Sequence, residues 1–108
     1  MARTIASLNA LGRLAEPGLL ILASLCTGKK HGYALILDIE AHTAKRMGPG
    51  TLYGALARLE GLGFVEPLSV GDRGRRPYRI THAGRRAFAE RLSELQAYRT
   101  MLLGLAAR

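Results

Sequence analysis

The chain has 108 residues, with 16 Lys and Arg against 8 Asp and Glu for a formal charge of +8, so it is bounded to one strongly basic domain. Hydrophobic residues make up 48% and mean hydropathy is +0.06, which excludes a generally disordered chain. A chain this short buries roughly 65% of its unfolded surface, so a partner subunit is expected to complete the core.

The longest nearly unbroken apolar run, Leu19 to Cys26, is far short of the roughly 20 residues a bilayer span needs. Arg3 is not followed by the apolar core of a secretory signal, and a cytoplasmic protein without a membrane partner is expected. Cys26 is the only cysteine, which excludes internal disulfides and a cysteine-rich zinc site; its apolar setting makes it a small core residue rather than a redox sensor.

In chain order, Ile5, Leu8 and Leu11 at helical spacing predict an amphipathic arm helix over about Thr4 to Leu14, broken by Pro17-Gly18. Leu19 to Leu25 is apolar on almost every face and is stopped by Gly28, as in a short buried helix. A second helix from about His31 to Thr43 turns Leu35, Ile36 and Ile39 inward and leaves Asp38, Glu40 and His42 outside that stripe. After the basic turn Lys45-Arg46-Met47-Gly48, Pro49 opens a third helix at a position where its missing N–H costs least. Leu52, Leu56, Leu59 and Gly63 share one face of it. At 100° per residue Gly50, Gly54, Ala57, Arg58 and Gly61 share the opposite face, flanked by Thr51 and Tyr53. This outer face is small and approaches a surface closely.

Phe64 to Leu68 and Tyr78 to Thr81 have strand composition, and Pro77 stands at a strand start, where the lost ladder donor is tolerated. They predict a hairpin around the glycine-punctuated loop Gly71-Asp72-Arg73-Gly74-Arg75-Arg76. Between Val70 and Arg86, six arginines stand against Asp72 alone, so this stretch holds +5 of the chain's +8. Thr81 is placed to cap a last helix running to about Ala107. Phe88, Leu92, Leu95, Leu102 and Leu105 give that helix an imperfect heptad seam, assigned to dimerisation. Arg99 interrupts the seam, where it pairs with Glu90 or Glu94 of a partner chain or reaches to solvent.

The fold class expected is mainly α with a small β-hairpin: a winged helix-turn-helix over residues 1–81 with its N-terminal arm, then a dimerisation helix over residues 82–108. Such a domain lays its third helix in a major groove roughly 12 Å wide, while an arginine-tipped wing reaches phosphates or the adjacent minor groove. The expected DNA contacts are Lys30, Lys45 and Arg46 from the basic turns, Gly50, Thr51, Tyr53, Gly54 and Arg58 from the third helix, and Arg73, Arg75 and Arg76 from the wing. Tyr33 is expected to be half-buried support for the third helix.

The segment His31-Gly32-Tyr33, the run GTLYGALARLEGLGFVE from Gly50 to Glu66, and RRPYRITHAGRRAF from Arg75 to Phe88 resemble the PadR family of bacterial transcriptional regulators. The likeness covers about Leu19 to Phe88, and the short tail is similar to the smaller subgroup with a single C-terminal dimerisation helix. The resemblance implies a homodimeric, ligand-responsive repressor on a roughly palindromic operator. It also implies DNA contacts from Thr51 and Tyr53 at the start of a recognition helix, with Arg73, Arg75 and Arg76 on the wing. A small-molecule effector is then expected between two long helices and two arms, lined by Met101, Leu102 and Leu105 with Ile5 and Leu8.

Other chemistries find little support. His31, His42 and His82 are too scattered for a metal site. GPGTLYG fails as a nucleotide-binding glycine loop, since its third glycine is misplaced and no strand precedes it. No nucleophile has a base and orienting partner, and the acidic residues are scattered singly, so neither an enzyme nor a cofactor is expected. The alternative is a winged-helix module that docks on protein or structured RNA through the small outer face of Gly54, Ala57 and Gly61.

Overall fold

The computed structural model describes residues 7–108; Thr4 and Ile5, at the start of the expected arm, lie outside them. The arm enters as a 3-10 segment, Leu8–Leu14, whose first turn is capped by the Ser7 hydroxyl accepting the Asn9 N–H at 3.2 Å. The break falls at Gly12 (φ 58, ψ −126), a backbone that L side chains rarely adopt, and not at Pro17-Gly18. Those two residues lie inside the first helix, α1 (Ala15–Leu25). Pro17 is its third residue, where no intrahelical N–H is required.

The arm and α1 together give Leu8–Leu25 the length and hydropathy of a bilayer span. Gly12 kinks the stretch, however, and Leu8, Leu11, Ile21, Leu22 and Leu25 are buried, so it is core here. Leu8 and Leu11 close over α1 and α3, which corrects the expectation that Leu8 lines an intersubunit space.

Strand β1 (Lys30–His31) precedes helix α2 (Gly32–Thr43), and a turn leads to helix α3 (Pro49–Gly61). Leu35, Ile36 and Ile39 of α2 and Leu52, Ala55, Leu56 and Leu59 of α3 bury against α1, and Met47 plugs the turn between them. Gly63, expected on the inward face of α3, lies past its end at φ +80. Its N–H bonds to the Glu60 carbonyl at 3.0 Å and that of Phe64 to the Leu59 carbonyl at 2.9 Å, the pair of reversed bonds that ends a helix on a left-handed glycine.

Strands β2 (Val65–Pro67) and β3 (Pro77–Ile80) pair antiparallel, Glu66 opposite Arg79. Where a two-stranded hairpin was expected, β1 adds a third strand in the order β1-β3-β2, with Lys30 opposite Tyr78 and His31 opposite Pro77. The wing loop between β2 and β3 carries a short 3-10 turn at Asp72–Gly74. It closes on the Gly71 N–H to the Arg75 carbonyl, 2.8 Å, and the Leu68 N–H to the Pro77 carbonyl, 2.8 Å.

Helix α4 (His82–Ala106) is capped as expected, the Thr81 hydroxyl accepting the Gly84 N–H at 3.0 Å. Only its first turns meet the core, through Gly84, Ala87 and the partly buried Phe88. Its 25 residues span about 37 Å at 1.5 Å per residue, so its end projects beyond the domain; every residue from Leu92 onward is exposed, with Asn9 of the arm bordering Arg91, Glu94, Leu95 and Tyr98.

Candidate nucleic-acid interface

The exposed side of α3 is built by default: with Leu52, Ala55, Leu56 and Leu59 inward, Gly50, Thr51, Tyr53, Ala57, Arg58 and Gly61 face out. Gly54 is partly covered, and a Cβ built on it or on Gly50 would meet nothing within 4 Å. The face is therefore low and open, with Tyr53, at 50% exposed, as its tallest apolar group. Tyr53 leans back on the bare Cα of Gly32, where an added Cβ would come within 2.6 Å of its Cζ. Gly32 in α2 thus sets the position of a side chain on α3.

Basic groups frame this face on three sides. Lys45 and Arg46 stand exposed in the turn before α3, in loose ion pairs with Glu16 at 3.6 Å and Glu40 at 3.8 Å. Exposed pairs of this kind contribute little and release their cations easily. On the wing side Arg73, Arg75 and Arg76 are all exposed; Arg76 donates to the Leu68 carbonyl at 3.2 Å, and Arg75 lies against His31 at 3.3 Å. On the arm side a groove of about 560 Å³ runs between the arm and α3, walled by Arg13, Leu14 and Pro17 on one side and Gly50, Thr51, Gly54 and Arg58 on the other. Arg13 was not picked out by the sequence, because its place beside Arg58 depends on how the arm folds back.

Between α3, the start of α2 and the wing lies a second cleft of about 240 Å³, lined by His31, Gly32, Tyr33, Tyr53, Gly74, Arg75, Arg76 and Tyr78. Tyr33 is 55% exposed on its rim. Tyr78 is held above the usual phenol pKa, first by burial, then by the Glu60 carboxylate and by Tyr53, with Arg76 opposing; it stays a neutral hydrogen-bonding group at the cleft floor.

Lys30, expected among the DNA contacts, is engaged within the chain. Its ammonium donates to the Ser24 carbonyl, to the Thr27 hydroxyl at 2.7 Å and to the Gly28 carbonyl at 3.5 Å. All three donors thus turn onto the C-terminal end of α1, where a cation offsets the helix dipole and its free carbonyls. Beside it the buried Ser24 hydroxyl donates to Asp38 of α2, tying the two helices together.

The α4 stripe divides in two. Phe88, expected in the dimer seam, packs against the chain's own core instead. Leu92, Leu95, Leu102 and Leu105 are between 40% and 56% exposed, and Tyr98, Met101 and Leu103 widen the apolar surface beside them. Glu94, one expected partner for Arg99, pairs with Arg91 of the same helix at 3.2 Å. Among the described residues no group of three or more His, Cys, Asp or Glu is gathered as a metal site.

The model of the PadR-like family of transcriptional regulators matches residues 21–90, from α1 through the wing to the first turns of α4. The chain belongs to the PadR family. A transcriptional regulator of Mycobacterium tuberculosis is 39% identical over 86 residues, covering 78% of this chain and 79% of that one. An uncharacterized 37.1 kDa protein in a transposon of Streptomyces fradiae is 47% identical over 74 residues, covering 68% of this chain and 21% of that protein, so the chain spans about a fifth of that relative. A transcriptional regulator from Clostridium thermocellum superposes with a TM-score of 0.75 at 26% identity, over 94% of this chain and 97% of that one. The winged helix with a small three-stranded sheet is therefore the fold of PadR-like regulators.

Proposed function

We propose that the chain is a sequence-specific DNA-binding repressor that acts as a homodimer and is released by a small molecule. The observation that carries the DNA reading is the low outer face of α3 framed by cations from three separate elements: Arg13 on the arm, Lys45 and Arg46 on the turn, and Arg73, Arg75 and Arg76 on the wing. A face with small residues enters a major groove, and cations on its flanks meet the phosphates on both sides. Thr51, Tyr53 and Arg58 are the side chains offered to base edges, with Gly50 and Gly54 giving close approach. Lys30 is assigned to the fold and leaves the contact set.

The apolar stripe of α4 from Leu92 to Leu105 is the dimer surface, since a helix projecting from its domain with this much exposed leucine gains by pairing with a second copy. A twofold dimer sets two recognition helices in successive major grooves about 34 Å apart. An effector held near Met101, Leu102 and Leu105 would release DNA by changing that spacing.

Two substitutions test the reading. Tyr53→Ala is expected to weaken binding to a selected duplex far more than to random DNA, whereas Arg75→Ala weakens both and lowers the salt slope by about one. Unchanged affinity of Tyr53→Ala for the selected duplex contradicts the assignment of α3. Leu95→Glu should convert dimer to monomer in sedimentation; an unchanged dimer contradicts the assignment of α4.

A further inference from the structure

His31 makes two contacts that a neutral imidazole cannot satisfy together. It is the N-cap of α2, its Nδ1 accepting the Ala34 N–H at 3.3 Å, so that nitrogen carries a lone pair and the ring proton sits on Nε2. Nε2 in turn faces the Arg75 guanidinium at 3.3 Å, and a guanidinium has only N–H groups to offer. Two donors therefore point into the same space, with no acceptor between them among the described residues. The other tautomer only moves the conflict, leaving the Ala34 N–H against a second N–H. In either form one N–H is left for solvent or a bound acceptor.

The surroundings say which acceptor fits. The described lining residues of this cleft are His31, Gly32, Tyr33, Tyr53, Gly74, Arg75, Arg76 and Tyr78, none of them acidic, although the Glu60 carboxylate of α3 is near enough to help raise the Tyr78 pKa. Two arginines, a histidine and three tyrosines thus line a space open to solvent between α3 and the wing. If α3 lies in a major groove with the wing over its edge, one DNA strand would pass between them here.

We infer that the cleft clamps one DNA backbone phosphate per protomer, His31 Nε2–H and the Arg75 guanidinium each donating to a non-bridging oxygen. The inference rests on the DNA-binding reading above and adds His31 to it as a contact residue. The phosphate supplies the missing acceptor, both donors are satisfied, and His31 keeps its cap on α2 while it binds. A charge-assisted bond of this kind is worth about tenfold or more in affinity.

His31→Asn separates the two roles, because asparagine caps a helix well but is too short to reach the cleft. The variant is expected to melt close to the wild type and to bind a duplex selected from a random-sequence pool about tenfold more weakly. Replacing single phosphates of that duplex by uncharged methylphosphonates should reveal one position per half-site whose penalty is large for the wild type and shrinks for His31→Asn. Full affinity of a folded His31→Asn, with Arg75→Ala impaired, overturns the inference and leaves the DNA reading standing. No binding of the wild type to any duplex overturns both.

Nitrogen NMR of the wild-type histidines gives a readout that does not depend on the variant's folding. The inference expects His31 protonated on Nε2, with that signal moving on addition of the duplex. A proton on Nδ1, or a signal that moves with inorganic phosphate and not with DNA, overturns it.

Discussion

Gly84→Ala is the substitution whose cost follows most directly from the geometry. Gly84 lies in the first turn of α4, where the helix crosses the chain leaving α3. A Cβ there would overlap the Phe64 carbonyl oxygen and come within 3.0 Å of its carbonyl carbon and 2.9 Å of Ile80 Cγ1. The backbone cannot yield cheaply, because the Phe64 carbonyl accepts the Thr81 N–H at 3.0 Å and the Phe64 N–H is held by the Leu59 carbonyl at 2.9 Å. Overpacking a tight site costs about 1–3 kcal/mol, and disturbing a buried backbone bond adds about 1–3 kcal/mol. The helix propensity of alanine returns at most about 1 kcal/mol. The net loss is about 1–6 kcal/mol, each kcal/mol lowering Tm by roughly 4–8 °C for a chain of this size. Gly54→Ala is the matched control, since its Cβ meets nothing within 4 Å in the middle of α3, and it should gain up to about 1 kcal/mol. Thermal and urea unfolding followed by circular dichroism measure both. A Gly84→Ala protein as stable as the wild type would refute the seating of α4 on the Phe64 carbonyl.

Three further outcomes follow from local geometry. Ala44 ends α2 in the left-handed region at φ 58, so Ala44→Gly should raise the urea midpoint by the equivalent of about 1 kcal/mol; an unchanged midpoint contradicts that helix end. Lys30→Met removes the cation from the end of α1 and should lower stability by about 1 kcal/mol while leaving the salt slope of DNA binding unchanged; a slope reduced by about one returns Lys30 to the DNA face. For Tyr78 the folded pKa is raised above the unfolded one, so its neutral form favours the fold. That contribution is complete below about pH 10 and is lost as pH climbs through the folded pKa. Ultraviolet titration should show one of the four tyrosines ionising late, a phase absent from Tyr78→Phe, and a single transition for all four would contradict it.

What the sequence revealed were features written in local chemistry. Pro49 at the start of α3, Thr81 as the cap of α4, the inward leucines of α3 and the arginine-rich wing all act within a turn or two of their own position. What it concealed depends on long-range partners. β1 is only two residues, Lys30 and His31, with no strand composition; it is a strand because Tyr78 and Pro77 lie alongside. Pro17-Gly18 reads as a helix break, yet a proline is harmless in a first turn, and the real break at Gly12 looks like an ordinary glycine in a helical pattern. Leu8 was expected to line an intersubunit space and Phe88 to join the dimer seam, but spacing does not say whether the facing surface belongs to the same chain.

The candidate site divides the same way. The charge of Lys45, Arg46, Arg73, Arg75 and Arg76 and the small outer face of α3 were visible residue by residue. For Lys30, charge alone does not reveal that its ammonium turns onto the end of α1. Arg13 and His31 were missed because each enters the site from an element that looks unrelated in sequence, the arm in one case and the start of α2 in the other. Only the folded chain brings them beside Arg58 and Arg75.

Whether α3 and its basic frame read DNA sequence is decided by fluorescence anisotropy. The protein is titrated against the duplex upstream of its own gene and against a scrambled duplex, at several salt concentrations. The account predicts a preference on the order of a thousandfold for the native duplex, with both affinities falling as salt rises. Equal and steeply salt-dependent binding to both would contradict it, showing that the arginines meet phosphate alone and that α3 reads no bases.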